Sequence, residues 1–172
     1  VTLSFWMKTD QHQKATLFSN GRGNGEDLLL SNGKANKWAV TLEAGIPYLH
    51  AEGVAYKLST TDLADNNWHH VAIVLKRAGS LRAYIDARLE SSSPSNNIGG
   101  ISGSKFWIGA RGFVNSELEE TVDEVFTGKI DELRLWNMAR ATEQIDRDRF
   151  HEVDFNAIGL LLYARMNPPD PL

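Results

Sequence analysis

Apolar and polar residues alternate along short stretches of this chain, and Gly, Asn, Asp and Ser separate one stretch from the next. In residues 1–8, Val1, Leu3, Phe5 and Met7 fall on one face and the residues between them on the other. Residues 37–43 bring Trp38, Val40 and Leu42 together in the same way. Two further runs, 68–76 and 80–89, are joined by a turn at 77–80, and runs at 105–109 and 129–136 follow. Side chains of a strand point alternately to its two faces, so period-two runs of this length predict half-buried antiparallel strands. Asn20-Gly21, Asn32-Gly33 and Ala44-Gly45 are predicted turns. Residues 91–100 predict a polar loop, and 137–150 a short helix with Thr142 as its cap. Many strands and a single helix give an all-β, antiparallel two-sheet sandwich or jelly roll with one short C-terminal helix.

At 172 residues, 42% of them hydrophobic and 23% charged, the chain has the composition of one globular domain with a substantial core. Its 18 Lys and Arg against 22 Asp and Glu give a net charge of −4, which argues against a nucleic-acid binder. There is no Cys, which excludes disulfide scaffolds, thiol catalysis and cysteine-based metal sites. No apolar run approaches the roughly 20 residues needed to cross a bilayer, so membrane insertion is not expected. The chain opens at Val1 within a strand pattern, and residues 167–172 (NPPDPL) read as the start of a Pro-rich linker. A single domain over residues 1–166, cut from a longer polypeptide, is the expected organisation.

Three stretches carry a resemblance. They are residues 1–8; NWHHVA at 67–72 with LRAYID at 81–86; and FTGKIDELRLWN at 126–137 with ARATEQI at 139–145. GLLLY at 159–163 looks like the matching closing strand. Together they resemble the laminin-G-like and pentraxin-like branch of the concanavalin A-like lectin/glucanase jelly rolls. One departure is Ala87, which stands after Asp86 where that branch usually has Gly, so this turn is expected to differ. The resemblance implies two antiparallel sheets in a secreted or cell-surface, multidomain protein with neighbouring domains. It does not fix a ligand, because this fold hosts several functions.

Catalytic patterns are incomplete. A glycosidase of this fold carries carboxylates spaced along one strand so that alternation aims them into one cleft. The nearest match, EVDFN at 152–156, has Glu152 and Asp154 but lacks the third carboxylate. Gly100 to Ser104 (GISGS) lacks the final Gly of a nucleophile elbow. His69 and His70 are neighbours in a strand and point to opposite faces, so they cannot chelate one metal. His70 shares a face with Trp68, Ala72 and Val74, which predicts a buried, hydrogen-bonded structural histidine.

A glycan-binding face needs aromatics and hydrogen-bonding side chains on one side of a sheet. In residues 46–58, Tyr48, His50 and Glu52 alternate with Leu49 and Ala51. Tyr84 alternates with Ala83 and Ile85, Trp107 lies between Phe106 and Ile108, and Arg111 stands at a strand end. These six polar and aromatic residues are the candidate ligand-binding set; if their faces adjoin they make a stacking platform with hydrogen-bonding flanks, with Arg111 at the rim. The resemblance also implies one structural Ca²⁺ held between backbone carbonyls and Asp131, the matching residue; Asp27, in a polar loop, is a weaker candidate ligand. Alternation from residue 129 puts Asp131 on the face of Leu133 and Leu135, where a carboxylate needs a partner. A calcium ion would supply it, and so would a salt bridge or loop amides. The expected function is a non-catalytic module that recognises a glycan or an extracellular protein. The alternatives are a glycoside hydrolase-like domain and a structural spacer or adhesion domain.

Overall fold

The computed structural model describes residues 1–21, 36–51, 54–77, 79–95, 98, 105–114 and 119–166. In chain order the strands are β1 (Thr2–Lys8), β2 (Ala15–Gly21), β3 (Asn36–Glu43), β4 (Ile46–Ala51), β5 (Val54–Lys57), β6 (His69–Leu75) and β7 (Ser80–Ile85). They continue with β8 (Arg88–Pro94), β9 (Lys105–Ile108), β10 (Arg111–Val114), β11 (Glu120–Asp123) and β12 (Lys129–Trp136). Helix α1 (Thr142–Asp148) precedes the last strand, β13 (Leu160–Ala164). A six-stranded sheet has the order β13-β12-β1-β6-β7-β8, and a five-stranded sheet the order β5-β4-β3-β2-β9. All their pairings are antiparallel, and β10 with β11 makes a separate hairpin.

The two sheets bury one core between them. Leu3, Phe5 and Met7 of β1, Val71 and Ile73 of β6, and Leu133 of β12 face Phe18, Val40, Leu42 and Leu49 of the other sheet. Phe5 meets Phe18 edge-on with ring centroids 4.6 Å apart, and Phe18 stacks on Phe106 at 5.9 Å. Burying each such side chain contributes about 1.5–3 kcal/mol.

The sequence pattern and the structure differ at several strand ends. The run 80–89 is two strands, because Asp86 and Ala87 both adopt positive φ (51° and 67°) and close a two-residue hairpin. An Ala at such an angle is strained where Gly would not be. The polar stretch at 91–94 is not a loop but part of edge strand β8, where small polar side chains suit an exposed edge. Asn20-Gly21 is the end of β2 rather than a turn, whereas Ala44-Gly45 is the predicted tight turn with φ of 50° and 77°. Asn32-Gly33 and residues 167–172 lie outside the described residues.

A bulge in β12 reverses the expected faces of that strand. Two steps along β1, from Ser4 to Trp6, are matched by three along β12, from Arg134 to Asp131, and Glu132 takes φ +50° to absorb the extra residue. Ile130 therefore joins Leu133 and Leu135 on the core side. Asp131 pairs with Trp6 and Arg134 with Ser4 on the outer face, beneath α1.

Arg134 locks that helix in place. Only 2% exposed, it donates to the backbone carbonyls of Asp148 and His151 and to the Glu132 carboxylate, with its guanidinium 5.1 Å from the Tyr163 ring centroid. The residue that caps the helix is Ala141, not Thr142. Ala141 offers no capping oxygen, and Gln144 compensates by accepting from the Ala141 N–H at 2.9 Å.

Candidate functional site

The outer face of the five-stranded sheet gathers four of the six expected ligand residues. One lateral row of paired residues runs from Trp107 on β9 through Ser19 and Ala39 to His50 on β4 and Ala55 on β5. Tyr48 lies two residues before His50 on the same side, with ring centroids 6.2 Å apart. The backbones of Trp107 and His50 are three strand spacings apart, about 14 Å, and Ser19 and Ala39 between them are buried. The face is thus divided into two regions rather than one continuous platform.

The first region lies under the β10–β11 hairpin. Gly109 N–H donates to the Leu17 carbonyl and Ser19 Oγ to the Ala110 carbonyl, which fastens the start of the hairpin to β2. Gly112 rests against the indole of Trp107. Arg111 is tied along the hairpin to Asp123, with Nε 2.7 Å from Oδ1, and has Glu124 Oε1 at 3.8 Å. Its hydrogen bonds to Asp123, opposed by burial and helped by Glu124, raise an already high guanidinium pKa.

The second region is the candidate binding site. His50 Nε2 lies 2.9 Å from Glu43 Oε1 and 3.1 Å from Thr41 Oγ1, and Thr41 donates to the same carboxylate at 3.0 Å. A carboxylate only accepts, so Nε2 carries a proton and Nδ1 is the ring nitrogen left open. Lys14 bridges Glu43 (3.7 Å) and Glu124 (3.2 Å), and Thr16 donates to Glu124 at 2.8 Å. Burial alone would raise the Glu43 carboxyl, but His50, Thr41 and Lys14 outweigh it and hold the group below its ordinary value. A chain of alternating charge therefore crosses the face, from Asp123 through Arg111, Glu124 and Lys14 to Glu43, which accepts from His50. At its end the Tyr48 hydroxyl and His50 Nδ1 have no hydrogen-bond partner among the described residues.

A family model of the concanavalin A-like lectin/glucanases superfamily matches residues 1–146. The chain belongs to this superfamily. Among solved structures it is similar to a candidate carbohydrate-binding protein from Bacteroides ovatus (20% identity, TM-score 0.71). It covers 95% of its own length but only 44% of that protein. It is also similar to the heptameric SAP-like pentraxin of Limulus polyphemus (15%, TM-score 0.63, covering 84% of this chain and 67% of that one). A third is domain 4 of an extracellular GH43 arabinanase from Geobacillus stearothermophilus, solved with arabinotriose (18%, TM-score 0.56, covering 85% and 64%). At these identities the likeness fixes the fold. No curated protein sequence matches the chain.

The remaining expectations fall elsewhere on this concanavalin A-like sandwich. Tyr84 is not a surface ligand residue. It is 3% exposed on the other sheet, packed with Ala72, Val74 and Ile145 under α1, its hydroxyl 3.3 Å from that of Thr142. Its run was read correctly as alternating, but α1 covers the polar side. Asp131 does not face Leu133 and Leu135, because the β12 bulge turns it outward, where its Oδ1 accepts from the Glu132 N–H at 2.8 Å. Among the described residues no group of three or more His, Asp or Glu is placed to hold a metal ion. Asp27 and Glu52 lie outside the described residues.

Glu152 and Asp154 line an open cleft of about 530 Å³ beside α1. Local partners occupy both: Glu152 pairs with Arg165 at 2.5 Å, and Asp154 accepts from the Asn156 N–H. His70 is buried as expected, but its Nδ1 has no hydrogen-bond partner among the described residues. No helix among the described residues is long and apolar enough to cross a membrane.

The residues that orient the site were not singled out from the sequence. Glu43 and Thr41 were accessible, since alternation in 37–43 puts them opposite Trp38, Val40 and Leu42. Lys14 and Glu124 come from connecting segments with no periodic signal, and only the fold brings them together.

Proposed function

We propose that the chain is a non-catalytic carbohydrate-recognition module of a secreted or cell-surface protein. It holds its glycan on the outer face of the five-stranded sheet at Tyr48 and His50. One observation carries this reading. An aromatic hydroxyl and an imidazole nitrogen stand side by side without hydrogen-bond partners among the described residues, while Thr41, Glu43, Lys14, Glu124 and Arg111 around them are engaged by neighbours. Sugar rings are recognised by this combination, an aromatic surface for their C–H faces and a few fixed polar atoms for their hydroxyls. Membership of a superfamily that includes lectins supports it, as does a similar arabinanase domain solved with arabinotriose.

The test is a glycan-array screen of the isolated chain, followed by calorimetry on the hits with Tyr48→Ala and His50→Ala. Both variants should retain the wild-type thermal midpoint and lose at least about tenfold in affinity, the equivalent of 1.4 kcal/mol. Glycan binding that survives both substitutions would move the site elsewhere. A blank array would turn the reading towards protein recognition.

A further inference from the structure

Taking that binding face as the starting point, we infer that its ligand is an uncharged oligosaccharide and not a sialylated, sulfated or uronic acid glycan. The charges of the face argue for it. Two cations of the face, Lys14 and Arg111, are each held by carboxylates, Lys14 by Glu43 and Glu124 and Arg111 by Asp123 and Glu124. An anionic sugar would have to draw Lys14 or Arg111 away from partners already at 2.7 to 3.8 Å, leaving a carboxylate uncompensated. Lys57 is exposed on edge strand β5, opposite Tyr48.

The polar atoms left open point the same way. Glu43 accepts from His50 Nε2, and in the neutral tautomer this leaves Nδ1 to meet the ligand as an acceptor. An acceptor binds a sugar O–H and repels a carboxylate or sulfate oxygen. The Tyr48 hydroxyl both donates and accepts, which suits a second sugar hydroxyl. A site built for anions uses guanidinium forks aimed outward at the ligand, whereas this face turns its guanidinium along the hairpin into Asp123.

The experiment is an array holding neutral, sialylated, sulfated and uronic acid oligosaccharides, read at low and high NaCl. Calorimetry then follows on the hits with the wild type and Tyr48→Ala. The expected result is binding of neutral members, with an affinity changing by less than about twofold between the two salt conditions, because no ion pair is formed or broken. Selective binding of anionic members that weakens steeply in salt and is lost in Tyr48→Ala would overturn the inference while leaving the site intact. Binding of any glycan that Tyr48→Ala leaves unchanged, or a blank array, would overturn the site itself and the inference with it.

Discussion

Gly112 lies flat against the indole of Trp107, so close that a Cβ at this position would stand 2.0 Å from Cε2 and 2.2 Å from Cδ2. One face of the Trp107 ring is therefore committed to the β10–β11 hairpin. These contacts are with the middle of a bicyclic ring rather than a flexible tip, so neither partner can yield cheaply. Gly112→Ala should cost about 1–3 kcal/mol, typical of overpacking. The thermal midpoint should fall by roughly 2–4 °C for each kcal/mol in a chain of this size. Calorimetric melting of the variant checks this, and an unchanged midpoint would mean that the hairpin does not press on Trp107.

Glu43 acts on the ligand through His50. It fixes the proton on Nε2 and leaves Nδ1 open, and Gln at this position can present its amide N–H₂ to the ring instead, which favours the opposite tautomer. A hydrogen bond to a charged group is worth about 1.5–3 kcal/mol where it is buried, and less at this half-exposed position. Glu43→Gln should therefore weaken glycan binding by about tenfold while scarcely moving the thermal midpoint. The diagnostic reading is the His50 ring itself: ¹⁵N chemical shifts of the imidazole should report the Nε2–H tautomer in the wild type and a mixture in the variant.

Arg134 is the buried charge on which the helix side depends. It satisfies the carbonyl of Asp148, the last residue of α1, and that of His151 just beyond, and neutralises Glu132, which also accepts from the Tyr163 hydroxyl at 2.6 Å. Removing one partner of a buried pair strands the other, and the usual loss is about 3–5 kcal/mol. Arg134→Ala should destabilise by that order in urea unfolding. Hydrogen exchange should speed up most at α1 and β13, the elements that Arg134 joins. Uniform exchange across both sheets would show that Arg134 merely supports the fold as a whole.

Legibility in the sequence followed the physics of each element. Strands with one face in the core announced themselves by alternation, as did the core residues Leu3, Phe5, Met7, Val40 and Leu42. The pattern failed where a residue departs from strand geometry: the β12 bulge at Glu132 inverted the faces of Asp131 and Ile130, and nothing in KIDELRLW marks the extra residue. Tyr84 failed for another reason. Alternation placed it on the polar side of its strand, but a helix some sixty residues later in the chain covers that side. At the candidate site, Tyr48 and His50 were visible because they alternate with Leu49 and Ala51. The carboxylate and lysine that orient them were not, because a period-two pattern says which side a residue takes and not which strands lie next to each other.

His70 makes stability depend on acidity. It is 2% exposed, and burial first, then the positive charges of Arg134 and Arg149, push its pKa down to about 4, against the weaker opposing pull of Asp86 and Asp146. The unfolded chain binds a proton on this ring below about 6.5, whereas the folded chain refuses it until about 4. The stability from the neutral buried ring is fully present above pH 6.5 and is lost progressively as the pH falls towards 4, a decline of about 3 kcal/mol. His69, paired with Asp65 and Asp86, has a raised pKa and contributes in the opposite sense. Comparison with a variant that keeps His69 therefore isolates the effect. His70→Gln cannot titrate here, so its unfolding free energy, followed in urea from pH 7 to pH 4, should decline by about 3 kcal/mol less than that of the wild type. Parallel curves for the two proteins would show that His70 takes up its proton in the folded state at an ordinary pH, and that the cavity it shares with Arg134 and Ser4 is wetter than its burial implies.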